Sequence, residues 1–180
     1  ATITEMGYTF NDNQINLPQH QPCHMLRLRN AIPLGKWLGA EAGIRAVNKR
    51  IPREYFQAGP RTRRVLFDSL MEGDGTPRKL GWTYSTVSPQ LADDVQQLAI
   101  MLGYGASVYR YPAGKPHHLP RYSVNIYLRQ QSRAKPRSTK TVLYNGEVVC
   151  LTVPSGAYLV RRNGRIAVSG NSVMWHNSAR

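Results

Sequence analysis

The sequence predicts an α+β protein: a mixed helix-and-strand part up to residue 138, followed by a small all-β segment. Three observations predict it. Two helical patterns, around residues 61–75 and 88–103, are interleaved with period-two runs that read as strands. "RQQSRAKPRSTK" is basic and poor in apolar residues, which is the composition of a linker. Beyond it, "TVLYNGEVVCLTV" and "AYLVRRNGRIAV" each set an Asn-Gly pair between extended runs, a strong hairpin signal.

Taken in order, residues 1–48 carry the weakest patterns. "YTF" and "INL" flank "NDNQ" as in a short hairpin, "HMLRLRN" alternates as a strand does, and "PLGKWLGAEAG" reads as a helix. "HQPCH" offers His20, Cys23 and His24, but no fourth metal ligand is apparent and the stretch reads as a loop. The segment "RTRRVLFDSLMEGDG" is strongly helical, with Leu66, Ser69, Leu70 and Gly73 on one face. Small residues at 69 and 73 suit that face to close helix–helix approach.

The clearest helix is "SPQLADDVQQLAIMLG". Ser88 is a good N-cap, Pro89 takes the first turn, and Leu91, Val95, Leu98 and Leu102 form a buried stripe that Gly103 ends. "LGWTYSTV" before it and "GASVYRYP" after it read as strands. "RYSVNIYLR" alternates cleanly, with Tyr122, Val124, Ile126 and Leu128 on one face. Arg121, Ser123, Asn125, Tyr127 and Arg129 occupy the other. A strand that is apolar behind and Arg, Asn and Tyr in front can enter a DNA major groove.

Charge points to the same partner. The chain has 24 Lys and Arg against 10 Asp and Glu, a net charge of +14, while 41% hydrophobic residues make it globular rather than disordered. Such an excess favours polyanions, through phosphate neutralisation and counterion release. After Asp94 no acid occurs until Glu147, whereas Arg110, Lys115, Arg121, Arg129, Arg133, Lys135, Arg137 and Lys140 accumulate. A second cluster, "NKRIPREYFQAGPRTRR", contains one acid, Glu54. Two cysteines, Cys23 and Cys150, give no disulfide framework and suggest a reducing, cytoplasmic compartment. No apolar run is long enough to span a membrane.

Asp74 stands out chemically. It lies at the C-terminal end of its helix, where the macrodipole disfavours negative charge, and Asp68 and Glu72 are like-charged neighbours four residues apart. Either it is a turn acid after a Gly-containing helix end, or its charge is compensated by a cation. With the Gly73 carbonyl as a second oxygen, such a site suits Mg²⁺, which takes few protein ligands and completes its shell with phosphate oxygens and water.

"FDSLMEGDG", from Phe67 to Gly75, resembles the helix motif of the LAGLIDADG homing endonucleases. The flanking "KRIPREYF" and "SPQLADDVQQLAIMLGYGASVYR" resemble that family's second repeat as found inside inteins. The resemblance implies helices on a DNA-binding antiparallel sheet, with metal binding by Asp74 and the Gly73 carbonyl. It also implies a helix–helix contact through Leu66, Ser69, Leu70 and Gly73, and cleavage of double-stranded DNA with a divalent metal. Only one such motif is present. A second repeat must therefore come from dimerisation or from another chain, and residues 1–48 resemble the remnant of a preceding repeat.

"GEVVCLTVPSGAYLVRRNGRIAVSGNS" resembles the C-terminal splicing segment of inteins, which ends in Asn followed by Ser, Thr or Cys. On that resemblance Asn171 cyclises and breaks the bond to Ser172, and Ser172 accepts the N-extein by ester exchange. Residues 139–171 are then the splicing segment of an all-β Hint fold, 49–138 the endonuclease repeat, and 172–180 the start of the host extein. Gly170 stands where many inteins have His. Cys150 is either a buried strand thiol or, as in one intein class, the first nucleophile, with Ser169 at a position that class fills with Thr. No first-residue nucleophile and no Thr-x-x-His segment occur, so the resemblance implies an N-terminal intein half supplied separately.

Overall fold

The computed structural model describes residues 7–16, 23–29, 31–128, 141–147, 149 and 151–170. Among these the chain is α+β, with four α-helices and three antiparallel sheets. The largest sheet holds strands β3 (Gly75–Arg78), β4 (Gly81–Thr86), β5 (Gly105–Tyr111) and β6 (Arg121–Tyr127) in the order β3-β4-β6-β5. Helices α3 (Pro60–Asp74) and α4 (Pro89–Met101) pack on one of its faces. The short helix α2 (Glu54–Gln57) leads into α3.

The core lies between these layers. Phe67 and Met71 of α3 meet Leu91, Val95, Leu98 and Ala99 of α4, with Tyr84, Val124 and Ile126 beneath them from the sheet. Phe67 is fully buried, stacks on Tyr104 at 5.2 Å and meets Trp82 edge-on at 5.8 Å. Burial of a side chain of that size stabilises by about 1.5–3 kcal/mol, so this residue fixes α3 against the sheet. The core face of α3 is therefore Phe67 and Met71. Leu66 and Leu70 pack at its margin, whereas Ser69 and Gly73 are open to solvent.

The long helix α4 follows its caps. Ser88 Oγ accepts from Leu91 N–H at 3.1 Å, Pro89 occupies the first turn, and Gly103 leaves the helix with φ +87°. The Ser88 hydroxyl also donates to the Lys49 carbonyl at 2.6 Å, and Ile51 N–H donates to Asp94 at 2.8 Å. These two bonds hold residues 49–51 against the start of α4.

The N-terminal part differs from the expectation. "FNDNQI" is not a turn but strand β1 (Phe10–Ile15), paired with β2 (Cys23–Leu28). The stretch read as a loop around "HQPCH" enters β2 at Cys23, while His20 lies outside the described residues. Helix α1 (Ile32–Glu41) forms where its sequence suggested and buries no residue. At the other end, "AYLVRRNGRIAV" gives the hairpin of β7 (Ala157–Arg162) and β8 (Arg165–Gly170). Around Asn145-Gly146, by contrast, the described residues form no strand.

Candidate nucleic-acid interface

In an antiparallel sheet, residues opposite one another share a face, so the register sorts the side chains. Trp82, Tyr84, Val108, Val124 and Ile126 face the helices. The opposite face carries Thr76 and Arg78 from β3, and Thr83 and Ser85 from β4. From β6 it takes Arg121, Ser123, Asn125 and Tyr127, and from the edge strand β5 Ser107, Tyr109 and Tyr111. None is acidic and none is aliphatic. Thr83 donates to the Asn125 carboxamide oxygen at 3.1 Å, and the Arg121 guanidinium lies over the Tyr111 ring at 5.0 Å. A solvated face of an antiparallel sheet is ordinarily polar with mixed charge. This one carries hydroxyls, a carboxamide, aromatic rings and positive charge but no acid, with Thr83 and Ser123 buried among their neighbours.

Asp74 sits beside one end of that face. Helix α3 passes into β3 without a loop, because Gly75 lets the chain turn directly over the last helical turn. A Cβ on Gly75 would lie 2.4 Å from the Met71 carbonyl oxygen, so no larger residue fits without a shift. Asp74 is exposed and lines a cavity of about 270 Å³ together with Lys49, Tyr84, Ser85 and Arg121. Burial, then the charge and hydrogen-bonding influence of the neighbouring Asp74 carboxylate, pushes the Tyr84 phenol up to about 12, so it stays neutral near pH 7. The arrangement puts Asp74, Lys49 and Arg121 around one space, together with apolar Ala46, Val87 and Leu91.

The fate of the other sequence candidates is mixed. Gly73 is adjacent to Asp74, and a Cβ there would meet nothing within 4 Å. Ser69 bonds only to its own helix, donating to Val65 O at 2.9 Å. Asp68 is compensated by Arg64 one turn earlier at 2.9 Å, so the run of like charges is milder than the sequence suggests. Lys115 lies in the exposed β5–β6 loop, and Arg110, paired with Tyr122, lies on the helix-facing side of the sheet, away from Arg121. Ser169 is on β8, half-buried. Arg129, Arg133, Lys135, Cys150, Asn171 and Ser172 lie outside the described residues.

Sequence reasoning missed Lys49 and Tyr84 as site residues. Lys49 was legible only as one member of a basic cluster, and Tyr84 only as an apolar strand position.

The described residues contain no group of three His, Cys, Asp or Glu side chains that could hold a metal by themselves. Asp74 is the one acidic residue among those lining the cavity.

No family model matches the chain. The DNA gyrase A protein of Mycobacterium gordonae is 37% identical over 86 residues, 45% of this chain and 16% of that protein. The DNA gyrase A protein of Mycolicibacterium flavescens is 34% identical over 98 residues, 51% of this chain and 18% of the relative. The ATP-dependent DNA helicase Hel308 of Thermococcus kodakarensis is 39% identical over 82 residues, 42% of this chain and 7% of that protein. The likeness is to segments of DNA-acting enzymes. The chain thus spans well under a quarter of the length of each relative. No helix among the described residues is long and apolar enough to cross a membrane.

Proposed function

We propose that this chain is an intein-borne homing endonuclease repeat joined to a C-terminal protein-splicing segment, and that it binds double-stranded DNA on the open face of its four-stranded sheet. The observation that carries the reading is the shared cavity of Asp74 and Arg121. It sets a carboxylate at a helix end next to the margin of a polar, acid-free sheet face. Arg121 and Lys49 hold a backbone phosphate, Tyr84 orients the Asp74 carboxylate, and Asn125 and the tyrosines read or stack on the groove. Asp74 with the Gly73 carbonyl would hold Mg²⁺, which supplies Lewis-acid stabilisation of the phosphoryl oxygens in metal-assisted hydrolysis.

The open side of α3 supports a paired assembly. Val65 is 60% exposed, Ser69 and Gly73 are uncovered, and nothing in the described chain uses the small size of Gly73. A second repeat packed there would bring the other half of the ligand set. Relatives of unlike name that share only a segment with this chain also fit a unit carried inside different host proteins. The splicing half of the reading rests on the "SGNS" sequence, with Asn171 as the cyclising residue and Ser172 as the acceptor.

A binding-only module is the second reading, favoured by the single carboxylate in the cavity. Conversion of a supercoiled plasmid library to nicked or linear form in Mg²⁺, by the chain alone and with a supplied second repeat, separates the two. Binding without any cleavage under both conditions supports the second. For splicing, intact mass after mixing with an N-terminal intein half is decisive: Asn171→Ala abolishes release of the peptide that begins at Ser172, whereas wild-type release in that variant would reduce "SGNS" to a turn.

A further inference from the structure

The turn between β7 and β8 is seated on the edge of the four-stranded sheet. Val108 N–H donates to the Gly164 carbonyl at 2.8 Å, and the fully buried Gln96 carboxamide donates to the same oxygen at 2.8 Å. Arg161 reaches α4, pairing with the Asp93 carboxylate at 2.9 Å and donating to the Asp93 carbonyl at 3.1 Å. Gly164 has φ +70°, and a Cβ there would lie 2.2 Å from the Val108 oxygen. Glycine alone permits so close a seat. A backbone hydrogen bond to edge strand β5 puts the turn about one strand spacing, ~4.8 Å, beyond the sheet.

The same turn carries two further arginines. Arg162 and Arg165 are register partners on either side of Asn163-Gly164, both exposed, and neither forms an ion pair among the described residues. Like charges directly opposite in a ladder destabilise it, and no contact among the described residues offsets that. The neighbouring strand β5 is equally free of acids, and it turns Tyr109 and Tyr111 to the polar face.

We propose that the tip of the β7–β8 hairpin is a phosphate-contacting arm, in which Arg162 and Arg165 extend the duplex-DNA surface of the sheet past β5. The arm rests on the reading of the sheet as a DNA interface. Docking fixes it: Gly164, Gln96 and Arg161 anchor the tip, which leaves the two flanking guanidiniums free for the backbone of DNA already lying on the sheet. The contacts are to phosphate, so they add affinity without sequence preference.

The test is fluorescence anisotropy of the full chain with a labelled duplex between about 50 and 200 mM salt. Three variants are compared with wild type: the double variant Arg162→Ala/Arg165→Ala, Gly164→Ala, and Arg121→Ala. Loss of two phosphate contacts lowers the steepness of log affinity against log salt by about 1.8, at roughly 0.9 per contact. The same decrease is expected from Gly164→Ala, which unseats the tip while keeping both arginines. If Arg121→Ala weakens binding and the double variant keeps wild-type affinity and slope, the arm is refuted while the sheet reading stands. If wild type does not bind duplex DNA, both fall. A loss seen with RNA but not with duplex DNA also overturns the arm as a DNA contact.

Discussion

Asp74, at the last residue of α3, and Arg121, at the first residue of β6, line one cavity. The pairing has an electrostatic logic. A helix C-terminus disfavours an anion such as Asp74, and Lys49 and Arg121 line the same cavity without forming an ion pair with it. A phosphodiester entering that space would meet two cations and one carboxylate, a set whose charges balance.

Asp74→Asn keeps the shape and removes the charge. DNA cleavage by the assembled protein should disappear, while DNA affinity in metal-free buffer is retained or rises slightly. Thermal stability without metal should not fall, because the substitution removes a charge from the wrong end of the dipole. Nicking of plasmid by the Asn variant at the wild-type rate would show that Asp74 has no chemical role.

Tyr84 gives an alkaline prediction. Its phenol is raised from the ordinary tyrosine value to about 12, so the folded state holds the proton more tightly than the unfolded chain. The resulting stability is fully present below about pH 10 and is lost as pH rises through about 12. Tyr84→Phe should flatten the stability profile over that window. In Asp74→Asn the tyrosinate absorbance transition should move to lower pH, since one cause of the shift is gone. An unmoved transition would place Asp74 too far from the phenol to influence it.

Asp94 gives an acidic one. It is 5% exposed, accepts from Ile51 N–H and from Gln90 at 2.8 Å each, and burial holds its carboxyl above the ordinary value despite those bonds. The raised value means a contribution that is complete below the ordinary carboxylate range and is lost as pH climbs through the folded value. Asp94→Asn should remove that slope and keep an acceptor for Ile51 N–H. Asp94→Ala should cost about 1–3 kcal/mol at neutral pH by stranding it. Urea midpoints across pH measure both, and equal profiles for Asn and wild type would contradict the assignment.

Two neighbouring glycines should behave in opposite ways. Gly75→Ala drives a Cβ into the Met71 carbonyl and should destabilise by about 1–3 kcal/mol. Gly73→Ala meets nothing within 4 Å and should be neutral or stabilising by up to about 1 kcal/mol in the free chain, from helix propensity. Chemical denaturation of both variants checks this, and wild-type stability in Gly75→Ala would mean that the helix-to-strand junction is looser than described.

Local signals were legible where one short segment decides the outcome. Ser88, Pro89 and Gly103 bracket α4 as caps do, and the alternation in β6 survives as two distinct faces. Signals failed where a distant partner decides. The two Asn-Gly pairs show this best. Asn163 and Gly164 have positive φ and form the hairpin turn, with Gly164 seated on Val108; neither Asn145 nor Gly146 has positive φ. In "FNDNQI" the ladder to β2 outweighs turn-like residues. On α3 the small residues drew attention to Ser69 and Gly73, while the burial of Phe67 and Met71 sets how the helix packs. The placement of Asp74 at a helix end could be read directly. Its neighbours Lys49 and Tyr84 could not, since only the tertiary fold brings them together.

The strand order β3-β4-β6-β5 also sets a timetable for folding. The central pair, β4 with β6, cannot form until α4 and β5 between them in the chain have been made, and pairing of this kind closes a long loop before any contact rewards it. The β7–β8 hairpin needs only its own two-residue turn, and such hairpins form in roughly 1–10 μs. The hairpin, which follows the sheet in the chain, can lock onto β5 as soon as that edge exists. In refolding experiments the hairpin should gain amide protection in two stages: a weak, immediate one of its own, and a strong one that appears together with the sheet.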